Sequence, residues 1–101
     1  MKTILINGCT IEATEYEVKK HPGGVSGKAT LKVGDTVYQV VGVWDNTYDP
    51  VWDDSEETGK YPQIIETVST NGGEEKTTGG ENSREIADMV TIEEVMVELA
   101  G

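Results

Sequence analysis

The chain has 101 residues, 36% hydrophobic and 27% charged, with no Phe, two Trp and one Cys. This length predicts one domain with one modest core, and a single cysteine excludes an intramolecular disulfide, as is typical of a reducing compartment. The net charge of −11 argues against direct binding to nucleic acid or anionic membrane, because phosphate recognition requires Lys and Arg.

The N-terminal residues predict a first β-hairpin. Residues 2–6 are short, apolar and β-branched, and the Asn7-Gly8 pair that follows is a strong hairpin signal. Residues 10–18 then alternate between apolar and acidic side chains, with a slip at residues 14–16 that a β-bulge would explain. The apolar stretch after Lys2 is too short for a signal peptide, and no run approaches the length of a membrane span. We therefore expect a cytoplasmic protein.

A second hairpin is predicted to form the centre of the sheet. Residues 19–27 are rich in Gly and Pro and predict a connection. Residues 28–33 predict a strand with Ala29, Leu31 and Val33 on one face. After a Gly34-Asp35 turn, residues 36–44 are β-branched, aromatic and apolar on both faces, which is typical of a central strand.

Two loops and one further strand are predicted next. Residues 45–62 are acidic and aromatic and predict a flexible loop, whereas residues 63–69 predict a strand. Residues 70–83 contain two Gly pairs and no apolar side chain, so we expect a flexible loop or a long hairpin tip there.

The C-terminal residues favour a helix from about Thr91 to Gly101. Met89, Ile92, Met96 and Leu99 have helical spacing, and Thr91 with Glu94 matches a capping box, as Asn82 does with Glu85. The β-branched residues of this segment leave a strand as the alternative. The sequence thus predicts an α+β fold, with about five antiparallel strands (two hairpins plus one strand) and a C-terminal helix packed on one face.

Charge is divided unequally along the chain. Residues 1–44 contain five Lys and four acidic residues (net +1), whereas residues 45–101 contain fifteen acidic residues and three basic ones (net −12), which sums to −11. Such a concentrated field indicates either a partner of opposite charge or a need for solubility.

The segment from Trp44 to Asp54 is the sharpest functional feature of the sequence. Trp and Tyr are preferred anchors of protein interfaces, and carboxylates around them can pair with Lys or Arg of a partner. In the alternative, structural interpretation, Trp44 belongs to the core and Trp52 covers its edge. The predicted partner-binding residues are Trp52, Tyr48, Asp45, Asp49, Asp53, Asp54, Glu56 and Glu57.

A wider set of carboxylates could imitate the phosphates of a nucleic acid and occupy a Lys- and Arg-lined groove. The simpler interpretation is a solvated surface that keeps a small protein soluble. The acidic residues concerned are Asp53, Asp54, Glu56, Glu57, Glu66, Glu74, Glu75, Glu81, Glu85, Glu93, Glu94 and Glu98. An irregular calcium site at residues 45–54 is a weaker alternative, because Thr47 and Pro50 break the EF-hand pattern.

The sequence offers no defined catalytic or cofactor site. Cys9 and His21 are its one Cys–His combination, and their spacing does not indicate a thiol enzyme. The sequence His21-Pro22-Gly23-Gly24 resembles the haem-ligand motif of the cytochrome b5 family. That family uses a second axial His, and His21 is the only histidine, so we interpret the motif as a turn. We expect no enzyme activity, no metal and no cofactor.

The layout of N-terminal strands, acidic middle and closing helix resembles many short bacteriophage-encoded proteins, some of which are virion parts and others inhibitors of host machinery. The leading hypothesis is a non-enzymatic binding protein that blocks a basic, nucleic-acid-handling partner through an acidic, Trp-anchored surface. The alternatives are a structural, virion-associated or oligomeric sheet protein that pairs through an exposed edge, and an enzyme of unrecognised type.

Overall fold

The computed structural model describes residues 1–45, 63–80 and 82–101. Six strands form one antiparallel sheet in which each strand pairs with the next along the chain. A two-stranded hairpin and one helix follow. The elements are β1 (Lys2–Ile6), β2 (Cys9–His21), β3 (Gly24–Val33), β4 (Thr36–Asp45), β5 (Gln63–Thr70), β6 (Lys76–Gly80), β7 (Glu85–Ala87), β8 (Val90–Thr91) and α1 (Ile92–Ala100). An α+β fold with an antiparallel sheet is confirmed.

The turn of the first hairpin and a bulge in β2 are confirmed, and the bulge interrupts the pairing of β2 with β3 and not its pairing with β1. Asn7 and Gly8 both have positive φ, 49° and 80°, which gives the turn the twist that neighbouring strands require. The register shifts between Ala13 and Glu15, so Thr14 is the extra residue of the bulge.

A further hairpin, β2–β3, lies between the two hairpins that the sequence predicts. The structure extends β2 to His21 and begins β3 at Gly24, so only Pro22 and Gly23 form the turn. Gly24 and Gly27 lie within β3, where pairing to both neighbouring strands satisfies the backbone in spite of low strand propensity. The prediction of a connection over residues 19–27 is therefore wrong.

The large sheet has six strands, and the predicted number of about five is wrong. The additional strand, β6, lies in the Gly-rich segment 70–83, where the sequence predicted a loop or hairpin tip. Thr67 and Thr77 lie opposite each other in the β5–β6 pair, and their hydroxyl oxygens are 2.8 Å apart. An edge strand needs backbone pairing but no buried side chains. The polar sequence of β6 therefore did not indicate a strand.

The C-terminal helix is confirmed, with Thr91 as N-cap and Gly101 as C-cap. The second capping-box match is not a helix start, because Glu85 begins β7 and pairs with Thr91. Within the described ranges no helix is long and apolar enough to cross a membrane.

The helix lies on one face of the sheet, against β1, β2 and β3. Its buried residues are Ile92, Val95, Met96 and Leu99. Residues from five strands of the sheet and from the β7–β8 hairpin complete the core, among them Ile4, Ile11, Ala13, Ala29, Leu31, Val40, Val68, Ile86 and Val90. Side chains alternate between faces along each strand, so the other face of the sheet is not covered by the helix.

We expect Thr91→Ala to lower the free energy of unfolding by about 1 kcal/mol, because the N-cap hydroxyl accepts a hydrogen bond that alanine cannot accept. The Glu94 backbone N–H donates to Thr91 Oγ1 at 3.3 Å, and the Glu94 carboxylate accepts from the Thr91 N–H at 3.0 Å. Urea unfolding followed by circular dichroism measures the change. Thr91→Ser keeps the hydroxyl and serves as control, and equal midpoints for wild type and Thr91→Ala would contradict the role of the cap.

Candidate protein-binding surfaces

The predicted partner-binding residues lie largely outside the described part of the chain. Tyr48, Asp49, Trp52, Asp53, Asp54, Glu56 and Glu57 all fall in residues 46–62, and Asp45 is described only through its backbone at the end of β4. Trp44, the other indole of this segment, is described and fully buried. It is therefore a core residue, as the structural interpretation of the sequence proposed.

The described part of the chain holds a second concentration of negative charge, in residues 82–101, here called the C-terminal acidic unit. It comprises the β7–β8 hairpin and α1. It contains one basic residue, Arg84, and five acidic residues. The acidic residues are Glu85, Asp88, Glu93, Glu94 and Glu98. Glu85, Asp88, Glu94 and Glu98 are exposed and Glu93 is half-buried, so this unit presents carboxylates to solvent.

Hydrogen bonds attach the C-terminal acidic unit to the first hairpin. The Asn7 side-chain amide donates to the Met89 carbonyl at 2.9 Å, so the β1–β2 turn holds the β7–β8 turn. The Lys2 ammonium group donates to the Glu98 carbonyl at 3.3 Å near the end of α1. Together with the apolar face of the helix, these contacts fix the position of the acidic unit relative to the sheet.

Glu66, which the sequence included among the surface carboxylates, is buried and only 1% exposed. Its Oε2 accepts from Trp44 Nε1 at 2.6 Å and from the Ser83 hydroxyl, and its Oε1 accepts from the Arg84 backbone N–H at 2.9 Å. Ser83 Oγ in turn accepts from the Glu93 N–H at 2.9 Å. A carboxylate on β5 therefore holds the start of the acidic unit and, through Ser83, the first turn of α1.

The described carboxylates of residues 63–101 are thus not one continuous row, and Glu81 lies outside the described residues. Glu66 is internal, and Glu74 and Glu75 are exposed in the β5–β6 connection. Five others belong to the C-terminal acidic unit. Among the described residues, the acidic surface expected for the latter half of the chain is therefore limited to the C-terminal acidic unit.

The face of the sheet opposite α1, here called the open face, is a second candidate surface. Cross-strand register places its residues in rows: Glu15, Thr30, Gln39 and Ser69 in one, Glu17, Lys28, Val41 and Thr67 in the next, and Lys19, Ser26, Val43 and Ile65 in a third. A trough of about 440 Å³ follows the first two rows. Val41, Val43 and Ile65 are 53%, 41% and 49% exposed, which is unusual for aliphatic residues in the middle of a sheet.

The remaining candidate groups do not converge on a site. Cys9 begins β2 and His21 ends it, which separates them by about 40 Å at roughly 3.3 Å per residue. His21 Nε2 lies 2.7 Å from Ser26 Oγ in an exposed pair beside the β2–β3 turn. Among the residues that the structure describes, no three His, Cys, Asp or Glu side chains are grouped as a metal ion would require.

No family model, no curated protein and no solved structure matches this chain.

Sequence reasoning missed two features of these surfaces. The burial of Glu66 follows from its position between Ile64 and Val68, which are core residues of the same strand with the same parity. The exposure of Val41 and Val43 could not be read from β4, since a strand that is apolar on both faces is normally covered on both.

Proposed function

We propose that the chain is a non-enzymatic binding protein that presents a fixed acidic surface to a basic partner. The observation that carries this proposal is the C-terminal acidic unit, where five carboxylates and one arginine are attached to the sheet by Lys2, Asn7 and Glu66. Carboxylates held in place lose less conformational entropy on binding than carboxylates on a flexible chain.

The partner class that fits best is a protein with a groove lined by Lys and Arg, such as one that handles nucleic acid. Such a groove binds polyanions with release of counterions, and a fixed set of carboxylates competes for the same cationic groups. The chain would then act as an inhibitor. In this proposal the aromatic residues Tyr48 and Trp52 supply apolar anchors beside Asp45, Asp49, Asp53, Asp54, Glu56 and Glu57.

Two triple variants with the same change of charge test the role of the acidic unit. Replacing Glu85, Glu94 and Glu98 with Gln removes three charges from the unit, and replacing Glu15, Glu17 and Glu75 with Gln removes three from the sheet side. Each variant changes the net charge from −11 to −8. Gln at position 94 can still form the capping box, so the helix start is preserved.

The experiment is a capture of host proteins at low salt, elution with a salt ramp, identification by mass spectrometry, and titration of the purified partner. We expect the first variant to bind at least about tenfold more weakly and the second to stay within about twofold of wild type, because close charge pairs dominate over net charge. Duplex DNA should displace the chain from the purified partner. Equal effects of the two variants, or affinity independent of salt, would overturn the proposal.

An oligomeric sheet protein is the second candidate function. The six-stranded sheet is open, with β1 and β6 as its edges, and unpaired edge groups can add a strand from another chain. An assembly of this kind would form without a basic partner, which separates the two candidates.

A further inference from the structure

The open face of the sheet combines an aliphatic centre with exposed strand positions. Val43 and Ile65 lie directly opposite each other in the β4–β5 pair, and Val41 lies two residues from Val43 on the same face. Each is about half exposed. Both strands are interior strands of the sheet, so this patch does not lie on an edge strand. Exposed aliphatic patches of this kind mark contact surfaces.

Charges on the open face are nearly balanced, although the whole chain has a net charge of −11. Register places three acidic and three basic residues of β2 and β3 on this face. They are Glu12, Glu15, Glu17, Lys19, Lys28 and Lys32. With Glu75, which lines the trough, the sum over the described residues of this face is −1. Lys28 and Glu17 form a cross-strand pair at 3.9 Å.

We propose that the open face packs against the same face of a second copy of the chain. Two copies with charge −11 each repel one another, and only a face with little net charge allows them to approach closely. A foreign partner would impose no such requirement, and a basic one would be attracted to the C-terminal acidic unit on the opposite layer. An aliphatic patch surrounded by charges that nearly cancel therefore favours association between two copies of the chain.

The dimensions of the face suit a weak, symmetric dimer. Four strands about 4.8 Å apart and about seven residues long give a face of roughly 450 Å² per copy, or about 900 Å² for both. This lies below the roughly 1,200–2,000 Å² of stable interfaces and belongs to the class of weak or transient contacts. A two-fold axis near Val41 would bring the aliphatic residues of both copies into contact. The trough beside them would accommodate side chains of the other copy, and both C-terminal acidic units would point away from the interface.

Sedimentation equilibrium of the whole chain, at concentrations up to about 1 mM, tests this dimer against a matched pair of variants. Val41→Lys places a charge on the open face. Val97→Lys makes the same substitution on the outer side of α1, where Val97 is 49% exposed compared with 53% for Val41. Circular dichroism of both variants confirms that each is folded.

We expect the mass of wild type and of Val97→Lys to rise from 11.0 kDa towards twice that value, and Val41→Lys to remain monomeric. Added salt should strengthen the dimer, because it screens the repulsion between two acidic copies, whereas salt weakens binding to a basic partner. The effect of salt thus has opposite signs for the dimer and for binding to a basic partner, so the two proposals can be tested separately. A wild type that stays monomeric at the highest concentration and in high salt, or assembly that Val41→Lys leaves intact, as edge pairing would, overturns the inference.

Discussion

Replacing Glu66 with alanine is expected to lower the free energy of unfolding by about 3–4 kcal/mol, among the largest effects in this chain. Three donors converge on the buried carboxylate: the Trp44 indole N–H, the Ser83 hydroxyl and the Arg84 backbone N–H. Alanine leaves all three without their acceptor and adds a cavity, and an unsatisfied buried donor costs about 1–3 kcal/mol. Urea unfolding measures the loss.

Glu66→Gln separates hydrogen bonding from packing, because glutamine has nearly the same shape. Its amide group offers one acceptor oxygen and one NH₂ donor. Since both carboxylate oxygens accept hydrogen bonds from surrounding groups, the NH₂ of glutamine must face a donor in either orientation. We expect a loss of about 2 kcal/mol, smaller than for alanine. Glu75→Gln, at an exposed position, is the control and should change stability little.

A spectroscopic signature distinguishes this network from a general loss of packing. In wild type, Trp44 Nε1 lies 2.6 Å from Glu66 Oε2. The indole proton should therefore give a shifted NMR resonance and exchange slowly with water. Glu66→Gln should move this resonance while the fold persists. If the resonance and the urea midpoint were both unchanged, the carboxylate would not be the acceptor that holds Trp44.

Gly42→Ala is expected to destabilise the protein by about 3 kcal/mol or to prevent folding, because overpacking of a core costs about 1–3 kcal/mol and occasionally more. A Cβ atom at position 42 would lie 2.2 Å from the Ile65 carbonyl oxygen and 3.1 Å from the Trp44 ring. The first contact is with backbone and cannot be relieved by rotating a side chain. Thermal unfolding measures the effect.

The residue opposite Gly42 is also glycine. Gly27 pairs with Gly42 across β3 and β4, has φ of 146°, and would place a Cβ 2.1 Å from the Glu17 carbonyl oxygen. The two facing glycines let β3 approach β2, and β4 approach β5, closely on the core side, and the Trp44 ring lies beside Gly42. A side chain at position 42 would therefore displace the Trp44 ring.

Gly79→Ala is the matched control for Gly42→Ala. Gly79 lies in β6, and a Cβ there would meet its nearest atom at 3.7 Å, an ordinary contact distance. We expect stability to stay the same or to rise slightly, because alanine restricts the unfolded chain. Equal losses for the two variants would show that strand glycines are needed for a reason other than close approach.

The sequence predicted those parts of the fold that local signals specify. Asn7-Gly8 defined the first turn, the slip in alternation defined the bulge, and Thr91 with Glu94 defined the helix start. These signals succeed because turn and cap chemistry acts over a few residues.

The features that the sequence did not reveal depend on partners distant along the chain. β6 is polar and is a strand only because β5 offers its free edge. Strand parity with Ile64 and Val68 indicates that Glu66 is buried, but its role as an acceptor depends on Ser83 and Arg84, which are 17 and 18 residues away. The candidate surfaces were partly predicted: the C-terminal carboxylates were named, whereas the open face was not.

The topology has a consequence for biosynthesis. Every strand of the large sheet pairs with its neighbour in sequence, so the sheet can assemble progressively as the chain leaves the ribosome. Its inner layer, however, is sealed by Ile92, Val95 and Met96, which are translated after all six strands and must reach back to β1. Until then the nascent sheet has an uncovered apolar side, the state in which chaperone capture or aggregation would occur.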